Sequence, residues 1–101
     1  MPEFRPLLET DFELIYPIEQ AAHQEPWSQA NLISCFGPRY LNGLMLMNCH
    51  PVGFYISDLV AGDSSLMNLC VHPEYQGKGL GRALLQAYLA QSKAQGAEVD
   101  G

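Results

Sequence analysis

The residues best placed to do chemistry are Val71-His72-Pro73-Glu74-Tyr75-Gln76-Gly77-Lys78-Gly79-Leu80-Gly81-Arg82-Ala83-Leu84-Leu85. Three glycines alternate with a lysine and a leucine, an apolar run stands before them, and a helix-like pattern follows. The first turn of a helix presents unpaired N–H groups and the positive end of the aligned peptide dipoles, so an anion belongs there. Gly77, Gly79 and Gly81 leave the backbone bare enough for a phosphate to approach without meeting a Cβ. Lys78 and Arg82 add positive charge beside them. The pattern reads as a phosphate cradle at the start of a helix.

The common nucleotide signatures do not describe it. A Walker A loop needs G-x-x-x-x-G-K-[ST], but Lys78 is followed by Gly79, and position 72 is histidine. A dinucleotide fingerprint needs G-x-G-x-x-G, whereas these glycines run G-x-G-x-G. The strand-like segments before them read as hairpins rather than a βαβ unit.

Composition narrows the partners. The 101-residue chain has a formal net charge of −6, and two of its five basic residues, Lys78 and Arg82, lie in or beside the glycine stretch. No basic footprint for nucleic acid is visible, and no apolar stretch approaches the ~20 residues of a membrane span. The acidic start MPEFRPLLETDFE lacks the layout of a secretory signal, so a cytoplasmic protein is expected. Cys35, Cys49 and Cys70 form no C-x-x-C pair and are odd in number, which argues against disulfides and against a metal site. They are expected as reduced thiols, buried or half-buried.

The elements that must position the cradle follow from periodicity. Phe4–Leu8 reads as a strand, at a sheet edge because of Pro6. Thr10-Asp11-Phe12-Glu13 has the capping-box spacing, and a helix is expected from about Asp11 to His23, bent at Pro17. Its apolar stripe is Phe12, Ile15, Ile18 and Ala22. Ser28 can cap a second helix running to about Phe36, stopped by Gly37-Pro38. Tyr40–Met47, Val52–Val60 and Leu66–Val71 read as a three-stranded meander, with turns at Asn48–Pro51 and Gly62–Ser65. Leu80, Leu84 and Tyr88, widened by Leu85 and Leu89, predict a helix from Leu80 to Ala94 or Gln95, with Gly96 as its left-handed stop. Ala97-Glu98-Val99 opens another strand. The expectation is one α/β domain over residues 1–101 with a mixed, largely antiparallel sheet.

Gln76-Gly77-Lys78-Gly79-Leu80-Gly81 resembles the Q/R-x-x-G-x-G/A motif with which GNAT acetyltransferases grip the pyrophosphate of acetyl-CoA. The strand ending Leu69-Cys70-Val71-His72-Pro73-Glu74-Tyr75 and the helix opening Arg82-Ala83-Leu84-Leu85 agree with that context. His23-Gln24-Glu25-Pro26-Trp27-Ser28 is similar to the A-H-x-x-P-W-S segment of the bacterial ribosomal-protein-alanine N-acetyltransferases. Arg39-Tyr40-Leu41 and Asn68-Leu69-Cys70-Val71 sit where that branch has R-Y-L and N-I-A-V. The resemblance implies acetyl transfer from acetyl-CoA to the N-terminal alanine of a ribosomal protein, a basic acceptor suited to an acidic chain. It also implies that Leu69, Cys70 and Val71 offer backbone groups to the pantetheine and thioester, and that Gln76, Gly77, Lys78, Gly79, Leu80, Gly81 and Arg82 hold the pyrophosphate. Pro26 and Trp27 would help form the peptide groove.

Family members run roughly half as long again, and in this branch a glutamate base and a tyrosine acid fall in the later segment. No residue here matches either, so the catalytic residues are expected beyond residue 101, and the domain is expected to be incomplete at its C-terminus. Among residues present, His23, Glu25, His50 and His72 read as loop or recognition residues, Tyr75 and Tyr88 as packing residues, and Cys70 as an apolar filler. The sequence leaves two other readings: a non-catalytic CoA-binding or interaction module, and a GNAT enzyme acting on another amine. Missing later strands would bare the sheet edge beside Leu66–Val71, inviting a homodimer.

Overall fold

The computed structural model describes residues 1–100. In chain order the elements are β1 (Glu3–Pro6), α1 (Phe12–Ala22), α2 (Gln29–Ile33), β2 (Gly43–Met47), β3 (His50–Val60), β4 (Asp63–Val71), α3 (Leu80–Ala94) and β5 (Glu98–Asp100). The five strands form one sheet in sequential order. The first four are antiparallel to their neighbours, and β5 runs parallel to β4. The expected mixed, largely antiparallel α/β architecture is the one found.

Two cores lie on the two faces of the sheet. Leu7, Ile15, Ile18, Leu32, Cys35, Leu44, Phe54, Ile56 and Cys70 pack beneath α1 and α2. Met45, Val52, Tyr55, Val71, Leu80, Leu84 and Tyr88 pack beneath α3. Strand alternation assigns the sides: Phe54 and Ile56 go one way and Tyr55 the other. The Tyr55 ring lies directly over Gly43, where a Cβ would fall 2.2 Å from it.

Several boundaries differ from the sequence expectation, each for a local reason. Thr10 and Glu13 form no capping box. A single 3-10 turn, Glu9–Asp11, comes first, and the Asp11 carboxylate reaches back to the Leu8 N–H at 2.9 Å while gripping both Arg5 nitrogens at 2.9 Å. Pro17 sits inside an unbroken α1. Ser28 caps α2 as expected, accepting from the Asn31 N–H at 3.1 Å, but Ser34 ends the helix before Phe36. Tyr40 makes only an isolated bridge to Asp58, because the Asn42 side chain takes over the chain's bonding there, donating to the Cys35 carbonyl and accepting from the Ser57 N–H. The hairpin turns are tighter than expected: Asn48-Cys49 and Ala61-Gly62 occupy them alone, all with positive φ. His50 therefore opens β3. Asp63, Ser64 and Ser65 join β4, since Ser64 finds buried hydroxyl partners in Tyr88 and Ser92, each 3.0 Å away. Cys35 and Cys70 are buried, but Cys49 at a hairpin tip is exposed, contrary to expectation.

Candidate functional site

A register shift shapes the strands around the site. Between β3 and β4, Ile56 pairs with Asn68 and Ser57 with Leu66, leaving Met67 as an extra residue. This bulge reverses the alternation. Leu66 faces the α3 core, yet Asn68 and Cys70 turn toward α1, and Leu69 and Val71 face α3 again.

The hydrogen-bond phase of the β3–β4 ladder is set by His72, whose N–H donates to the Val52 carbonyl at 2.8 Å. In an antiparallel pair the bonded and unbonded pairs alternate. Cys70 therefore exchanges its bonds with Phe54, while the peptide groups of Leu69 and Val71 point away from β3. β5 pairs only with Asp63–Ser65, so among the described residues no strand lies on the outer side of Leu66–Val71. Of the three expected cofactor-strand residues, Leu69 and Val71 present backbone groups to open space. Cys70 does not: its peptide groups are spent in the ladder, and its thiol is buried against the Ile18 carbonyl.

The chain leaves β4 through a 3-10 turn, Pro73–Tyr75, capped by His72, whose Nδ1 accepts from the Glu74 N–H at 3.1 Å. Gln76 then folds back, its side-chain amide donating to the outward-facing Val71 carbonyl at 2.9 Å. That bond ties the glycine stretch to the end of β4, and among the described residues Leu69 N–H, Leu69 C=O and Val71 N–H have no partner. Gln76 thus serves as an internal tie.

Gly77 and Gly79 have φ of 79° and 77°, so their backbone shape alone demands glycine. Gly81 lies in the first turn of α3, and a Cβ there would meet only Val71 Cγ2 at 4.0 Å, an ordinary contact. Among the described residues nothing requires a glycine at 81, in keeping with a motif that takes glycine or alanine there. The first intrahelical bond is Ala83 N–H to the Gly79 carbonyl. Among the described residues, none of the six N–H groups from Gly77 to Arg82 donates to a protein acceptor. These amides surround the N-terminus of a fifteen-residue helix. Lys78 and Arg82 are exposed, and Lys78 Nζ lies 5.6 Å from the centre of the Tyr75 ring. The arrangement offers several aimed N–H donors that can receive a multiply charged anion, with the outward peptide groups of Leu69 and Val71 beside it.

On the α1 face, Pro26 and Trp27 are half-buried, and Trp27 packs against the α1/α2 core. The Trp27 N–H donates to Glu19 Oε2 at 3.0 Å. Glu19 has no exposed surface, and its Oε1 accepts from Asn68 Nδ2 at 2.7 Å and lies 3.5 Å from His23 Nε2. Neither Glu19 nor Asn68 stands out from residue type alone. The available signal was position: Glu19 falls between Ile18 and Ala22 on the inward stripe of α1, with His23 one turn on. The Glu19, His23 and Cys70 donor atoms lie within 4.8 Å of one another, but the Glu19 oxygens are occupied by N–H donors and the Cys70 thiol by the Ile18 carbonyl.

Concave space lies elsewhere. A cleft of about 350 Å³ between Leu8, Phe36 and Tyr40, and another of about 200 Å³ between Phe4, Tyr55 and Gln91, open near the start of β2. The glycine stretch is a surface cradle. No helix among the described residues is long and apolar enough to cross a membrane.

Residues 44–100 match the acetyltransferase (GNAT) domain family. The chain is 41% identical over 88 residues to the [ribosomal protein bS18]-alanine N-acetyltransferase of Haemophilus influenzae, an alignment covering 87% of this chain and 60% of the relative. It is 40% identical over 87 residues to the enzyme of the same name from Escherichia coli strain K12, covering 86% and 59%. The chain thus spans about 60% of the length of these curated relatives. Among solved structures, the ribosomal-protein-S18-alanine N-acetyltransferase of Escherichia coli superposes with a TM-score of 0.92 at 38% identity, over 96% of this chain and 63% of that one. The PaiA N-acetyltransferase of Thermoplasma acidophilum, in complex with coenzyme A, shares the fold with a TM-score of 0.78 at 19% identity, over 95% and 74%.

Proposed function

This chain belongs to the GNAT acetyltransferase domain family, and from that premise we propose that residues 1–101 are part of a cytoplasmic, acetyl-CoA-dependent N-acetyltransferase acting on the N-terminal alanine of a ribosomal protein. The observation carrying this reading is the run of unpartnered amides from Gly77 to Arg82 beside the open Leu69/Val71 edge. Coenzyme A fits these residues: a diphosphate needs several aimed donors and a missing Cβ, and a pantetheine arm needs exposed peptide groups. When bound, acetyl-CoA supplies the acetyl group as a thioester.

The chain's own residues then have distinct duties. The Gly77–Arg82 amides hold the diphosphate, with Lys78 and Arg82 adding charge. Gln76 keeps the cradle joined to β4. Leu69 N–H, Leu69 C=O and Val71 N–H bind the arm, and an outward N–H of this strand donates to the thioester carbonyl oxygen, where negative charge develops on attack. Pro26 and Trp27 border the acceptor's approach.

An N-terminal amine suits this site. With a pKa near ~8, roughly a tenth of it is neutral at pH 7, against well under a thousandth for a lysine near ~10.4. The acidic chain, at −6, favours a basic acceptor. The 40% relatives, whose names specify bS18 alanine, support this acceptor. We further propose that, without ligand, the Leu66–Val71 edge pairs with a second copy of the chain.

Isothermal titration with acetyl-CoA, followed by mass spectrometry of an alanine-terminated bS18 peptide, tests the proposal. Heat of binding is expected from residues 1–101, and a gain of one acetyl group from the full-length enzyme, since the catalytic residues are expected beyond residue 101. No binding by folded protein would refute it, and binding without transfer by the full-length enzyme would favour a non-catalytic CoA-binding role.

A further inference from the structure

We propose that Glu19 is a positioning residue that fixes the acceptor loop, residues 23–28, against the cofactor strand and thereby sets affinity for the acceptor; this deepens the acetyltransferase reading and rests on it for the two surfaces' roles. A carboxylate with no exposed surface is costly unless its oxygens are satisfied. Those of Glu19 are satisfied from two otherwise separate places. Oε2 takes the Trp27 main-chain N–H at 3.0 Å, and Oε1 takes the Asn68 side-chain amide at 2.7 Å. His23 closes the group from the half-exposed side, its Nε2 lying 3.5 Å from Glu19 Oε1 and 3.3 Å from Asn68 Oδ1.

The segment between α1 and α2 has no regular structure to hold it. Asn68 faces Glu19 only because the bulge at Met67 turns it toward α1, and it immediately precedes Leu69, whose peptide groups face the open edge. One carboxylate therefore joins the Trp27 main chain to the neighbour of the strand's binding groups. Hydrogen bonds to a charged acceptor are among the stronger ones, and cutting one leaves buried partners unpaired. Glu19 faces neither the cradle nor the open edge, so its loss should leave cofactor binding alone.

Trp27 is the sole tryptophan, so its fluorescence reads the loop directly, without ligand or turnover. In Glu19→Ala, acrylamide quenching of Trp27 should rise about twofold. In the full-length enzyme the apparent KM for an alanine-terminated peptide should rise about tenfold, the scale of one lost charge-assisted bond, with kcat and the KM for acetyl-CoA within about twofold of the parent values. Glu19→Gln should restore both, since its carbonyl can accept from Trp27 and, with the Asn68 amide turned over, its own amide can donate to Asn68 Oδ1. If Glu19→Ala fails to fold, Asn68→Ala, which removes the β4 donor and the Oδ1 contact with His23 while leaving the Trp27–Glu19 bond, should raise the peptide KM in the same direction without moving the KM for acetyl-CoA. Unchanged quenching in folded Glu19→Ala, a Gln variant as loose as that Ala variant, or a fall in kcat with peptide KM unchanged would each overturn the proposal. Failure of acetyl-CoA to bind would strike the acetyltransferase reading instead and leave the Trp27 measurement standing as a test of the clamp.

Discussion

Burial, with the nearby Glu19 carboxylate adding to it, pushes the Cys70 thiol up to about 12, so it stays protonated at neutral pH. Cys49 sits exposed at a hairpin tip and Cys35 is buried. In native protein a thiol reagent should therefore modify one cysteine rapidly and reach the other two only on unfolding; mass mapping that found Cys70 labelled as fast as Cys49 would contradict the packing. The Arg5–Asp11 pair makes a prediction with a sign. The Arg5 guanidinium, helped by the Leu8 N–H, outweighs desolvation and holds the Asp11 carboxyl below the usual aspartate range. A carboxyl depressed in the folded state adds stability above its unfolded pKa of about 3.9 and loses it as pH falls through the folded value. Arg5 is 41% exposed, which screens the pair, so Arg5→Gln should cost only about 0.5–1 kcal/mol in urea unfolding at pH 7. The difference from the parent should shrink in acid, as pH falls from the unfolded aspartate range through the lower folded value and the Asp11 carboxyl protonates. A penalty that persisted unchanged in acid would assign Arg5 a packing role.

At the scale of elements, α3 was legible because Leu80, Leu84 and Tyr88 repeat at helical spacing and all three are buried. The hairpins were legible in kind but not in length. The serines at 64 and 65 carry turn chemistry in sequence, and only the hydroxyls of Tyr88 and Ser92, 24 and 28 residues away from Ser64, make strand the better state for them. The bulge at Met67 left no mark in residue type, yet it decides that Asn68 faces Glu19 and that Cys70's peptide groups are spent on β3. The cradle could be read locally because glycine spacing and a helix start are local facts; the clamp could not, since its partners are 49 residues apart. Gly81 separates fold from function within one element. A helical glycine with no internal contact closer than 4.0 Å should accept alanine. Gly81→Ala should raise stability by up to about 1 kcal/mol through helix propensity, with acetyl-CoA binding within about twofold of the parent, since the motif this stretch resembles takes glycine or alanine at that place. Thermal melting should rise while calorimetry stays put, and a variant that lost cofactor affinity about tenfold would show that the ligand packs directly on the Gly81 Cα.

For the whole molecule the decisive feature is the sheet's unequal closure. Among the described residues β5 covers only Asp63–Ser65, and the remainder of β4 offers unpaired peptide groups next to a cluster of amides. Such an edge is a template for whatever extended, hydrogen-bonding chain arrives first. A pantetheine arm and a strand from a second copy would use the same Leu69 and Val71 groups, so they cannot both be present. The proposed self-association and the proposed cofactor binding are therefore linked, and each must oppose the other by mass action. Light scattering over rising protein concentration should show dimers without ligand and a shift to monomer on adding saturating acetyl-CoA. Dimers that withstood acetyl-CoA would place association elsewhere, the exposed Leu85 and Leu89 on α3 being the next surface to test. Monomer at every concentration would show that the open edge of β4 does not drive self-association on its own.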